Sequence, residues 1–156
     1  MWPRLARSQY ERQKGARNKR AMKKLVDGGR TPGIIAYQDG RPIGWFSVAP
    51  REEFLRLERS RILKPVDEQP VWSVVCFFVA KGHRGGGLST KLLEAAIDFV
   101  RERGGRIVEG YPVEPQNKQP DAFMWTGLAA AFTKAGFKEC ARRSATRPVM
   151  HYTIKK

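Results

Sequence analysis

Residues 71–105 read VWSVVCFFVAKGHRGGGLSTKLLEAAIDFVRERGG. The first ten are almost wholly apolar, the pattern of a central strand covered on both faces, and they run straight into the glycine-rich stretch 81–87. Beyond it Leu88, Leu92, Leu93, Ala96, Ile97 and Val100 recur at helical spacing until Gly104 and Gly105 close the run. A helix N-terminus carries unpaired N–H groups and a partial positive charge, and glycines just before it let the backbone close around a phosphate. Lys81, Arg84 and Lys91 add full charges at the rim. The turn at 83–89 is therefore read as an anion cradle.

Two other phosphate motifs fail on spacing. Gly82 and Gly87 stand as far apart as in a P-loop, but Leu88 and Ser89 follow where that loop needs a lysine. A dinucleotide-binding turn starting at Gly85 would need a third glycine at Thr90, and the elements around it do not form an alternating parallel series.

Outward from this core, 8–27 suggests one or two basic amphipathic helices ended by Gly28 and Gly29. Stretches 33–37 and 42–48 read as two strands joined at Asp39-Gly40, a strong hairpin signal. Residues 49–70 are irregular, with short helical pieces around 52–58, and 106–111 forms a second central strand. A helix over 122–135, bent near Gly127, and closing strands at 137–143 and 148–154 complete the order.

At 156 residues the chain fits one domain, 1–156, with one basic helical part at 1–30 and the nucleotide-binding core at 71–105. No apolar run is long enough to span a bilayer, so a cytoplasmic protein is expected. Cys76 and Cys140 lie in apolar strands without metal-ligand spacing; both read as buried reduced thiols, and no metal site is indicated. The net charge is +15, and the first thirty residues hold ten Lys or Arg against Glu11 and Asp27. That balance favours a phosphate-rich partner, yet no specific nucleic-acid-binding signature accompanies it.

The motif Arg84-Gly85-Gly86-Gly87-Leu88-Ser89 resembles the cofactor signature of the GNAT superfamily of N-acetyltransferases, with Ser89 in place of the last small residue. CFFVA before it, STKLLEAAIDFV after it and the late Ala135-Gly136-Phe137 occupy the positions that fold expects. Pro32-Gly33, Gly44-Trp45, Val48-Ala49-Pro50-Arg51, Glu109-Gly110-Tyr111-Pro112 and Arg147-Pro148 are similar to one bacterial subgroup without a defined acceptor.

The resemblance implies an α/β fold with a mixed, mostly antiparallel sheet, splayed between its two central strands and flanked by helices, and acetyl-CoA as cofactor. The fold's usual first strand has no clear counterpart before Ser8. Phe77, Phe78 and Val79 would offer main-chain groups to the pantetheine arm, one of them polarising the thioester carbonyl. Arg84, Gly85, Gly86, Gly87, Leu88, Ser89 and Thr90 would hold the pyrophosphate. The implied reaction is acetyl transfer to a primary amine of a small molecule or peptide, by direct attack on the thioester.

One position departs from the family pattern: Phe132 stands where many members carry a tyrosine that protonates the leaving thiolate. Tyr111, Cys76 or water would replace it, or the thiolate leaves unprotonated. Glu109 is the first candidate for general base, with Glu68 and Asp121 behind it. Trp45, Trp72 and Trp125 are candidate walls of a substrate pocket, and Arg51 and Arg147 are compatible with an acidic acceptor. A non-catalytic CoA-binding regulatory domain, suggested by Phe132, and a basic nucleic-acid or ribosome-associated protein are the alternatives. A homodimer stays open.

Overall fold

The computed structural model describes residues 2–117 and 124–155. Helices α1 (Arg7–Arg12) and α2 (Ala16–Asp27) come first. The second turns Asn18, Ala21, Met22 and Leu25 inward and Arg17, Lys19, Arg20, Lys23 and Lys24 to solvent, as its amphipathic spacing requires. Strands β1 (Gly33–Gln38) and β2 (Arg41–Pro50) form the hairpin, with Asp39 and Gly40 at φ 50° and 73°, the left-handed pair that matches the twist of the flanking strands. A single 3-10 turn at Arg51–Glu53 and α3 (Leu55–Glu58) supply the short helical pieces. Then come β3 (Trp72–Val79), α4 (Leu88–Glu102), β4 (Ile107–Gly110), α5 (Ala129–Lys134), β5 (Lys138–Arg142) and β6 (Pro148–Thr153).

The six strands lie in the order β1-β2-β3-β4-β6-β5. Only β3 and β4 run parallel; every other neighbouring pair is antiparallel. This is the expected mixed sheet, and the described residues contain no strand ahead of β1. On one face Phe46, Val48, Val74, Phe77 and Val108 pack against Leu92, Leu93, Ala96, Ile97 and Val100 of α4 and Phe132 of α5. Burying each of the larger α4 side chains stabilises the fold by roughly 1.5–3 kcal/mol. The opposite face, Ala49, Val75, Tyr111 and Val149, is covered by Phe54 and Leu57 from the stretch after β2.

Why the sheet opens is visible in its register. Ser47 pairs with Cys76 and Val48 with Val74, so Val75 is an extra residue on β3, a bulge that bends the strand. Parallel pairing with β4 runs from Trp72–Val108 to Val74–Gly110 and stops there, one residue before the bulge. Val75 and Cys76 therefore both face the second side of the sheet, and Phe77 returns to the α4 side.

Two expectations need correction. The helix expected over 122–135 begins only at Ala129, because Gly127 sits at φ 87° and Leu128 is extended, bridging Val113; residues 118–123 lie outside the described residues. Cys140 is exposed rather than buried, since it falls where the β5–β6 register skips between Glu139 and Ala141. Cys76 is half-buried.

Candidate active site

A cleft of about 620 Å³ opens beside the end of β3. Phe77, Phe78 and Val79 form one side, His83, Arg84, Gly85, Gly87, Leu88, Ser89 and Thr90 form its floor at the head of α4, and Met124, Trp125, Gly127, Leu128 and Ala131 close the other side. The strand edge and the glycine turn thus face one space. Gly86 lies on the outer side of the turn, where it lines a smaller hollow with Lys91.

The turn owes its shape to two residues in the left-handed region. Gly85 and Gly87 have φ of 78° and 79°, and Gly87 is the N-cap of the fifteen-residue α4. A side chain at either position would be strained by roughly 1–2 kcal/mol. The space where a Cβ would stand is open at both, so an approaching anion meets only backbone.

Alternation along β3 decides which main-chain groups face the opening. The Ala80 amide donates to Ile43 on β2, so Phe78 and Ala80 point that way, and Phe77 and Val79 point into the gap. Both gap-facing residues are engaged within the chain. The Phe77 amide donates to the Trp125 carbonyl at 2.7 Å, and the Arg84 guanidinium donates to the Val79 carbonyl at 3.1 Å.

Glu109 and Tyr111 do not line this cleft. Both side chains are about 1% exposed and lie on the second face of the sheet. Arg51 reaches Glu109 Oε1 at 2.7 Å and the Tyr111 hydroxyl at 2.6 Å, Tyr111 donates to Glu109, Ser73 Oγ lies 2.8 Å from the Tyr111 hydroxyl, and His151 Nε2 lies 2.7 Å from Glu109 Oε2. Burial pushes the Glu109 carboxyl up, but the bonds from His151 and Tyr111 and the Arg51 charge outweigh it and hold the group below the usual range. Burial and the adjacent Glu109 charge push the Tyr111 phenol well above its ordinary value.

The remaining candidates divide. Trp125 lines the cleft; Trp45 pairs with Phe78 across β2 and β3, and Trp72 packs edge-on against Phe99, both away from it. Arg51 is buried in the network and Arg147 donates to Thr126 Oγ1 at 2.9 Å, so both are engaged within the chain. Glu68 is exposed on the loop before β3, and Asp121 lies outside the described residues. Phe132 is fully buried against Phe77 and Phe137.

The sequence model of the acetyltransferase (GNAT) family matches residues 2–124, most of the chain and all of the strand–turn–helix unit just described. The chain belongs to this family. Solved GNAT structures share its fold. The ribosomal-protein-alanine N-acetyltransferase from Brucella melitensis is 19% identical with a TM-score of 0.56, spanning 88% of this chain and 76% of that one. The yncA protein of Salmonella typhimurium, solved with its cofactor acetyl-CoA, is 19% identical with a TM-score of 0.57, spanning 89% and 73%. A GNAT acetyltransferase from Streptococcus agalactiae is 13% identical with a TM-score of 0.57, spanning 95% and 79%. No curated protein sequence matches significantly.

As a GNAT member the protein is an acetyl-CoA-dependent N-acetyltransferase acting on amine acceptors. Its turn fits the pyrophosphate of that cofactor: left-handed glycines, an open approach to their backbone and Arg84 beside them. Among the described residues no helix is long and apolar enough to cross a membrane. Sequence reasoning missed Ser73 and His151, whose roles exist only through cross-strand neighbours. It also missed Met124, Leu128 and Ala131 in the cleft wall.

Proposed function

We propose that this GNAT enzyme transfers acetyl to a primary amine in the cleft between β3 and residues 124–131, with the pyrophosphate on Gly85, Gly87, Leu88, Ser89 and Thr90. The observation that carries this reading is that the β3 edge and the glycine turn line a single cleft. When bound, acetyl-CoA supplies an activated carbonyl and a thiolate leaving group. The chain orients it by its backbone: turn amides at one end and the gap-facing groups of Phe77 and Val79 at the other, where an N–H stabilises negative charge developing on a carbonyl oxygen. Phe78, Trp125 and Leu128 add apolar surface that excludes water from the reacting atoms.

Proton transfer falls to His83 on the cleft floor or to solvent in this reading. No Asp, Glu or Tyr lines the cleft among the described residues, and Phe132 has no exchangeable proton. The incoming ammonium loses its proton to the His83 imidazole or to water before attack, and the thiolate needs no general acid to depart. Glu109 and Tyr111 then act by position: with Ser73 they tie β3 to β4 immediately below the point where the strands part. We assign the whole chain to one cytoplasmic domain, with a small-molecule or peptide amine as acceptor. Release of free thiol from acetyl-CoA against a panel of primary amines tests the reading. Amine-dependent turnover well above hydrolysis is expected, and hydrolysis alone with every amine would overturn it.

A further inference from the structure

The gap beyond the β3–β4 pairing is not empty. Residues 124–129 lie in it and bond to both sides: the Trp125 carbonyl accepts from the Phe77 amide at 2.7 Å, the Gly127 carbonyl accepts from the Val113 amide at 2.8 Å, and the Ala129 amide donates to the Val113 carbonyl at 3.0 Å. The Gly127 amide closes a tight turn on the Met124 carbonyl at 2.9 Å. Side chains reinforce the seat. Thr126 is buried, and its hydroxyl accepts from Arg147 Nη1 at 2.9 Å, the same nitrogen lying 3.4 Å from the Tyr111 carbonyl. The Trp125 carbonyl thus occupies the amide that points into the gap at Phe77.

We infer that residues 124–127 are a latch, held shut by the Arg147–Thr126 bond, that acetyl-CoA must displace from Phe77. The inference rests on the reading of the 77–79 edge as the face that meets the acyl group. One N–H cannot serve both oxygens at full strength, so closed latch and productive ligand compete for it. Displacement is local. Gly127, at φ 87°, ends the turn, and Leu128, which follows, is 39% exposed, so the segment has a pivot ahead of the helix. Arg147 and Thr126 are positioning residues for this equilibrium, touching neither thioester nor amine.

A ligand that binds only the open form has its affinity reduced by the fraction of molecules that are open. Weakening the closed form therefore tightens binding. Thr126→Val keeps the shape of the buried side chain and removes the acceptor for Arg147. It is expected to lower the Kd for acetyl-CoA by about threefold or more in calorimetric titration, while thermal stability falls. A purely structural Thr126 would give the same loss of stability with unchanged or weaker affinity, and that result overturns the latch.

Amide hydrogen exchange on the wild-type protein supplies a second measurement that needs no variant. Saturating acetyl-CoA should speed exchange at Val113, the amide released when the Gly127 carbonyl leaves. Unchanged or slower exchange there, with heat of binding plainly present, also overturns the latch. If no heat of binding is seen at all, the cofactor site itself has failed, which is a different outcome.

Discussion

Ser73 on β3 and Tyr111, one residue past the end of β4, meet through their hydroxyls at 2.8 Å on the buried face of the sheet. Their bond lies just before the strands diverge, since pairing ends at Val74–Gly110. Tyr111 also donates to Glu109, whose carboxylate is held by Arg51 and His151. Tyr111→Phe removes the hydroxyl from this web and is expected to cost about 1–3 kcal/mol of stability, because Ser73 and Glu109 each lose a buried partner. The pH profile of acetyl transfer should keep its shape. Loss of a limb of that profile would make Tyr111 the proton donor instead.

Arg51 and Glu109 form a buried ion pair at 2.7 Å, and breaking such a pair from one side typically costs about 3–5 kcal/mol. Glu109→Gln should therefore destabilise the protein by that order in urea unfolding at neutral pH. The pH dependence has a definite sign. The native carboxyl titrates below its ordinary value of 4.5, so its contribution is fully present above that value and drains as pH falls through the native one. The gap in stability between wild type and Glu109→Gln should narrow in that acid window.

Phe132 stands where a catalytic tyrosine was expected, and its ring edge packs directly on Gly110, where an added Cβ would lie 2.8 Å from Cζ. A phenol there would press its hydroxyl into this tightly packed space. Phe132→Tyr should thus lose about 1–3 kcal/mol of stability and leave kcat no higher than in the wild type. A clear rise in kcat would place this position in contact with the reacting sulfur.

Much of this was legible in the sequence. The apolar run at 71–80, the glycines after it and the helical spacing of Leu92, Leu93, Ala96, Ile97 and Val100 are local patterns, and local patterns specified β3, the turn and α4. What local patterns cannot carry is partnership across strands. Arg51 reads as one more exposed arginine until the sheet brings it to Glu109, 58 residues away. Trp45 and Trp72 read as pocket walls because aromatic residues on strands serve cores and pockets alike, and only the packing of the sheet, with Trp72 against Phe99 of α4, tells them apart. The extended Leu128 escaped notice because its pairing with Val113 overrides the helix preference of the alanines beside it.

Trp125 is the one candidate wall tryptophan that lines the cleft, whereas Trp72 packs on Phe99 at the far end of β3. Trp125→Ala should change the KM for acetyl-CoA, and Trp72→Ala should lower the melting temperature with KM unchanged. Steady-state kinetics on the two variants separates these outcomes, and equal effects on KM would contradict the placement of the cleft.

The central claim is that the turn at 84–90 holds the cofactor's pyrophosphate, and Gly87→Glu tests it most directly. The substitution sets a side chain on a left-handed N-cap and a carboxylate where two phosphates are to sit. Calorimetric titration with acetyl-CoA should give saturable binding to the wild type and none to a folded Gly87→Glu protein. Equal binding to both would contradict the account.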